Sequence, residues 1–137
     1  MKRIKYRSGY KYQLADSYHH QLVKIRPIAP AATEFLSLSV DGLLIVKAGY
    51  AYDGPSGPTK DTPDSMRGAL VHDALYELMR RGLISEDWRD EADEEFYRIL
   101  REDGMDRARA KVWYYGVRAF AAGCADPENK REVHVAP

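Results

Sequence analysis

The chain has 137 residues, 45% of them hydrophobic and 31% charged, with 21 Lys and Arg balanced by 21 Asp and Glu. Such a length fits one domain rather than two, the composition excludes a disordered or collagen-like chain, and no apolar run approaches the roughly 20 residues of a membrane span. With zero net charge there is no global field to draw the chain onto DNA or an anionic membrane, so a nucleic-acid partner is not expected.

The start, MKRIKYRSGYKYQL, is basic and lacks the apolar stretch of a signal peptide, so the chain is expected to be cytoplasmic when made. Residues 1–52 are rich in Tyr, Val, Ile and Leu in alternation and read as β. Tyr10–Leu14 and Gln21–Ile25 are candidate strands on either side of a polar turn at Asp16 and Ser17, and Pro27 and Pro30 then interrupt the chain. Leu36, Leu38 and Val40 fall on one face of a third strand, Asp41-Gly42 supplies a tight turn, and Leu43 to Ala48 returns as a fourth. Residues 53–63 hold too many Gly and Pro for a regular element and form a loop.

Three helices are predicted across residues 64–122. The first opens with Asp64 or Ser65 as N-cap and runs to about Arg81, with Gly82 just past its end. The second is capped by Ser85, carries the apolar line Ala92, Phe96, Ile99 and Leu100, and stops at Gly104. In the third, Val112, Trp113, Tyr115, Val117 and Phe120 make more than one side apolar, which predicts the most buried of the three. A single cysteine, Cys124, excludes an internal disulfide and a multi-cysteine zinc site. The fold class is therefore α+β: an N-terminal antiparallel β-meander or pair of hairpins followed by three helices, in a single domain over residues 1–124 with a loosely held tail over 125–137.

Charge is local although its sum vanishes. Residues 1–28 carry seven positive side chains against one aspartate, and residues 86–106 carry ten acids against three arginines. These runs are either partner surfaces or two solvated halves that attract each other.

One constellation has the makings of chemistry. His72-Asp73 lies inside the first helix, where His72 lines up with Leu75 and Met79, and Asp73 with Ala69 and Tyr76. A helix interior is a costly place for a buried carboxylate unless a cation or donors meet it. Two antiparallel helices joined by a short loop would bring Asp93 opposite His72. A carboxylate accepting the Nδ1 proton of His72 would leave Nε2 to deprotonate a water. Asp73 would then be placed to hold a hard cation such as Ca2+, with backbone carbonyls from the loop Tyr52-Asp53-Gly54-Pro55-Ser56-Gly57 as further ligands. Taken alone, each group also has a structural reading: His72 as a satisfied core histidine, Asp73 as partner of Arg67 or Arg80, Tyr76 as a core aromatic. His19 and His20 are expected on opposite faces of a strand and are assigned no role.

Three segments in order, Ala48-Gly49-Tyr50-Ala51-Tyr52-Asp53-Gly54-Pro55-Ser56-Gly57-Pro58, then Gly68-Ala69-Leu70-Val71-His72-Asp73-Ala74-Leu75-Tyr76, then Glu91-Ala92-Asp93-Glu94-Glu95-Phe96, resemble the bacterial and phage family called domain of unknown function 1353. That resemblance implies a phage or prophage protein without a settled activity. Residues 52–97 are also similar in order to phospholipase A2 domains. This second resemblance implies His72 as base, Asp93 as its partner, Tyr76 as support of the network, Asp73 as the calcium carboxylate, and Tyr52, Gly54 and Ser56 as loop ligands. Two functions follow as expectations. One is a calcium-dependent lipid or ester hydrolase; the other is a non-catalytic virion or phage accessory protein whose partners are other virion proteins. Neither reading specifies the oligomeric state.

Overall fold

Leu36 and Leu38 are buried with Ser37 between them less so, and Leu44 and Val46 are buried across the turn from them, the period of two of a half-covered sheet. The computed structural model, which describes residues 4, 6–9, 11–52 and 62–120, builds two small antiparallel sheets from this half of the chain. The first has the order β1-β2-β7 and consists of β1 (Tyr6–Gly9), β2 (Lys11–Leu14) and β7 (Ala51–Tyr52). The second has the order β3-β6-β5-β4, with β3 (Tyr18–Gln21), β4 (Ala31–Ala32), β5 (Leu36–Leu38) and β6 (Leu43–Val46). The predicted hairpin is the β5–β6 pair, in which Leu36 faces Val46 and Leu38 faces Leu44.

The strand expected at Gln21–Ile25 lies earlier. Strand β3 stops at Gln21, although Leu22 and Ile25 are both buried. The reason is local: the Arg26 guanidinium donates to the carbonyls of Leu22 (3.0 Å) and Ile25 (2.9 Å), so these acceptors are satisfied without a ladder. The Gly/Pro loop through residue 61, with Gly54 and Ser56, and the chain from residue 121 on, with Cys124 and the tail, lie outside the described residues.

The helices are α1 (Pro63–Arg80), α2 (Arg89–Glu102) and α3 (Arg107–Phe120). Helix α1 starts two or three residues before the predicted position, with Thr62 in place of Asp64 or Ser65 as N-cap. Pro63 at the first helical position lacks only an N–H that would have no helical partner, and Ser65 Oγ accepts the Thr62 N–H at 3.0 Å. Ser85 caps as predicted, but it caps a short 3-10 turn (Glu86–Trp88) that leads directly into α2. No described helix is long and apolar enough to cross a membrane.

Burial reverses one expectation. Helix α1 is enclosed nearly all round, whereas α3 packs through the single stripe Ala110, Trp113 and Val117 and leaves Val112 and Tyr115 exposed at 56% and 64%. Helix α1 packs against α2, and its Gly68 permits the close approach of that helix. A Cβ at Gly68 would sit 3.2 Å from Phe96 Cδ1 and 3.3 Å from Leu100 Cδ2. Gly68→Leu is therefore expected to lower stability by about 1–3 kcal/mol through overpacking, despite the roughly 1 kcal/mol that glycine costs a helix interior. Gly68→Ala, where those two effects oppose each other at similar size, should unfold close to wild type; urea midpoints of the two variants check the ordering.

Candidate functional site

A four-residue step along α1 puts His72 and Tyr76 on one face, their rings 4.2 Å apart, and the antiparallel α2 presents Asp93 to both. Asp93 Oδ1 accepts from His72 Nε2 at 2.6 Å and from the Tyr76 hydroxyl at 2.6 Å. Its Oδ2 accepts from Arg118 of α3 at 2.9 Å, and the same Arg118 nitrogen also reaches Asp90 at 2.6 Å. Phe96 closes the other side of the imidazole, ring centroids 5.1 Å apart. Asp93 is fully buried and His72 retains 4% of its surface, so the pair sits where bulk water screens it little.

Electrostatics follow from this enclosure. Burial alone would push the Asp93 carboxyl up, but the hydrogen bond from His72, with the Tyr76 and Arg118 donors, outweighs it and holds the group below its ordinary range. Burial and the adjacent carboxylate push the Tyr76 hydroxyl far up, so it stays a donor. Arg118 is pushed up by its two aspartates. An ionised Asp93 only accepts, so the His72 proton is on Nε2. This corrects the expected use of Nδ1: the distal nitrogen is the one that reaches across to a neighbouring helix. His72 Nδ1 has no hydrogen-bond partner among the described residues.

Of the proposed metal ligands, Asp73 stands on the neighbouring face of α1 and Tyr52 lies in β7, while Gly54 and Ser56 fall outside the described residues. Asp73 is half-buried, and its charge, with that of Glu77, raises the Tyr50 hydroxyl, which burial pushes up most of all. Tyr50 donates to Glu77 Oε1 at 3.1 Å and stacks on Tyr52, ring centroids 6.2 Å apart. Tyr52 is itself buried, pairs with Tyr12 in the first sheet, and ends the strand from which the Gly/Pro loop departs. Among the described residues, no three His, Cys, Asp or Glu side chains converge on a cation position. Arg67, one of the suggested partners of Asp73, is committed elsewhere, to Asp103 and Glu102.

Sequence reasoning brought His72, Tyr76 and Asp93 together and missed two things. Arg118 was passed over, although an arginine beside the buried stripe of a helix is a signal that a carboxylate awaits it. His20 was set aside, yet it is 1% exposed and bonded at both ring nitrogens, to Tyr18 and Glu95, while His19 faces solvent, so the two lie on opposite faces of the strand as expected. The basic start meets the acidic run through Lys24 to Glu94 at 2.9 Å, an exposed pair, and through His20 and the Val23 N–H to Glu95.

A family model described as "Protein of unknown function (DUF1353)" matches residues 34–117, more than half of the chain, including His72, Asp73, Tyr76 and Asp93. No curated protein and no solved structure matches.

Proposed function

The chain belongs to the DUF1353 family of proteins of unknown function, and we propose that this member hydrolyses a lipid or related ester with His72 as its general base. The observation that carries the reading is the setting of the imidazole: Nε2 is tied to a fully buried, ionised Asp93, and Nδ1 has no hydrogen-bond partner among the described residues. Nδ1 takes the proton of a water as the water oxygen attacks the ester carbonyl. The resulting imidazolium is supported by Asp93, which Tyr76 and Arg118 hold in place. When the acyl–oxygen bond breaks, the proton passes from Nδ1 to the departing alkoxide. Asp73 and carbonyls of Tyr52, Gly54 and Ser56 would hold Ca2+, whose chemistry when bound is to polarise the ester carbonyl.

The test is release of fatty acid from mixed phosphatidylcholine and phosphatidylglycerol vesicles with calcium and with chelator. Wild type is expected to turn over only with calcium, His72→Ala to lose about 10²–10⁴ in rate, and Asp73→Asn to lose the calcium-stimulated turnover. Absence of turnover together with absence of calcium binding by calorimetry overturns the reading.

The 4% exposure of His72 favours a second reading, a non-catalytic virion or phage accessory protein in which the same cluster is packed structure. In that case His72→Ala alters stability or assembly while wild type turns nothing over, and the protein is recovered in purified particles; recovery solely as a free monomer counts against it.

A further inference from the structure

A second polar cluster lies on the opposite face of α2 and closes on itself. Arg67 of α1 donates to the Tyr18 oxygen at 2.8 Å, and the Tyr18 hydroxyl donates to His20 Nδ1 at 2.9 Å. His20 Nε2 donates to Glu95 Oε2 at 2.8 Å, and Arg98 donates to Glu95. Arg98 also donates to Glu102 at 2.8 Å, and Glu102 accepts from Arg67 at 2.7 Å, which completes the ring. Along the arc from Arg67 through Tyr18 and His20 to Glu95 each group donates to the next, so the tautomer of His20 is determined by its neighbours. Outside the ring, the Val23 main-chain N–H holds Glu95 Oε1 at 3.1 Å, and Asp103 grips Arg67 through Nε and Nη2. Two guanidinium and two carboxylate groups balance, and the ring ties β3, α1 and α2 together.

From this placement we infer that the ring is a positioning device for the His72–Asp93 pair, an inference that deepens the hydrolase reading and rests on it for its functional meaning. Asp93 and Glu95 are two residues apart, about 200° around the helix, so α2 is held from opposite sides, by His72 and Tyr76 on one and by His20 and Val23 on the other. The apolar stripe Ala92, Phe96, Ile99 and Leu100 fills space but tolerates small rotations. A turn of about 20° at the roughly 5–6 Å radius of the side-chain shell moves a carboxylate by about 2 Å, enough to break a bond of this kind. The ring removes that freedom. Arg67, five residues before His72 on α1, reaches Glu102 and Asp103 at the far end of α2 and so also sets the sliding register of the two helices. Glu95, His20, Tyr18 and Arg67 act through Asp93 and do not touch a substrate.

The test reads His72 directly, by side-chain nitrogen NMR of the full chain. Wild type is expected to show a single tautomer with the proton on Nε2. Glu95→Ala is expected to give mixed tautomers and about tenfold faster solvent exchange of that proton, and Tyr18→Phe, which removes one hydroxyl, about threefold faster exchange. Leu38→Ala, a core truncation away from the ring, and Glu94→Ala, an exposed neighbour on α2, should keep the wild-type tautomer. If Glu95→Ala does not fold, Tyr18→Phe decides. A folded ring variant whose His72 tautomer and exchange match those of Leu38→Ala overturns the inference. A shifted His72 signature without vesicle turnover in wild type sinks the hydrolase reading and leaves the positioning role standing; turnover with an unmoved signature does the reverse.

Discussion

Asp93→Ala is expected to lower the stability of the folded protein by about 3–5 kcal/mol, the size seen when one member of a buried charge pair is removed and its partners are stranded. Three side chains converge on this carboxylate and it has no contact with solvent. After truncation Arg118 keeps Asp90 at the surface, but the His72 and Tyr76 protons lose their acceptor inside the core, and a cavity opens between α1 and α2. Asp93→Asn retains one amide oxygen for His72 or Tyr76 and forfeits the charge, so it should fall about midway between wild type and Asp93→Ala. Urea unfolding followed by circular dichroism measures all three. A midpoint for Asp93→Ala within experimental error of wild type would mean that the carboxylate does not hold the helices together.

Acidification is expected to remove a comparable amount of stability through Glu95. Burial raises this carboxyl, but hydrogen bonds from His20, Arg98 and the Val23 amide lower it further, from 4.5 to about 2. A carboxyl whose pKa is lower in the folded than in the unfolded chain stabilises fully above the unfolded value and loses that contribution as pH falls through the folded one. The stabilisation from Glu95 is therefore present above about pH 4.5 and gone near pH 2, and amounts to about 3 kcal/mol. Asp93 and Glu102 are also lowered and act in the same direction. Thermal midpoints recorded between pH 7 and pH 2 should decline over this window, and Glu95→Gln should show a lower plateau and a shallower decline. An acid profile for Glu95→Gln parallel to that of wild type would contradict the assignment. The same variant disturbs the closed ring, so its loss at neutral pH and its pH slope report two properties of one side chain.

What was readable in the chain, and what was not, divides along the distance over which each feature is determined. The β5–β6 hairpin follows from alternation around Asp41-Gly42, and the ends of the helices follow from Ser85, Gly82 and Gly104, each a matter of a few neighbouring residues. His72 and Tyr76 share a face because of helical spacing, and a short connection makes α2 antiparallel, so Asp93 could be placed opposite them. Backbone period and turn chemistry act locally, and they left the α+β order of the chain and one side of the site open to reading. The choice of partner for a buried polar group is made in three dimensions. Which nitrogen of His72 meets Asp93, that Arg118 completes the site, that His20 finds Glu95 seventy-five positions away, and that Val112 and Tyr115 face outward were decided by packing, because many pairings satisfy the same hydrogen-bond and burial rules and only the folded arrangement selects among them.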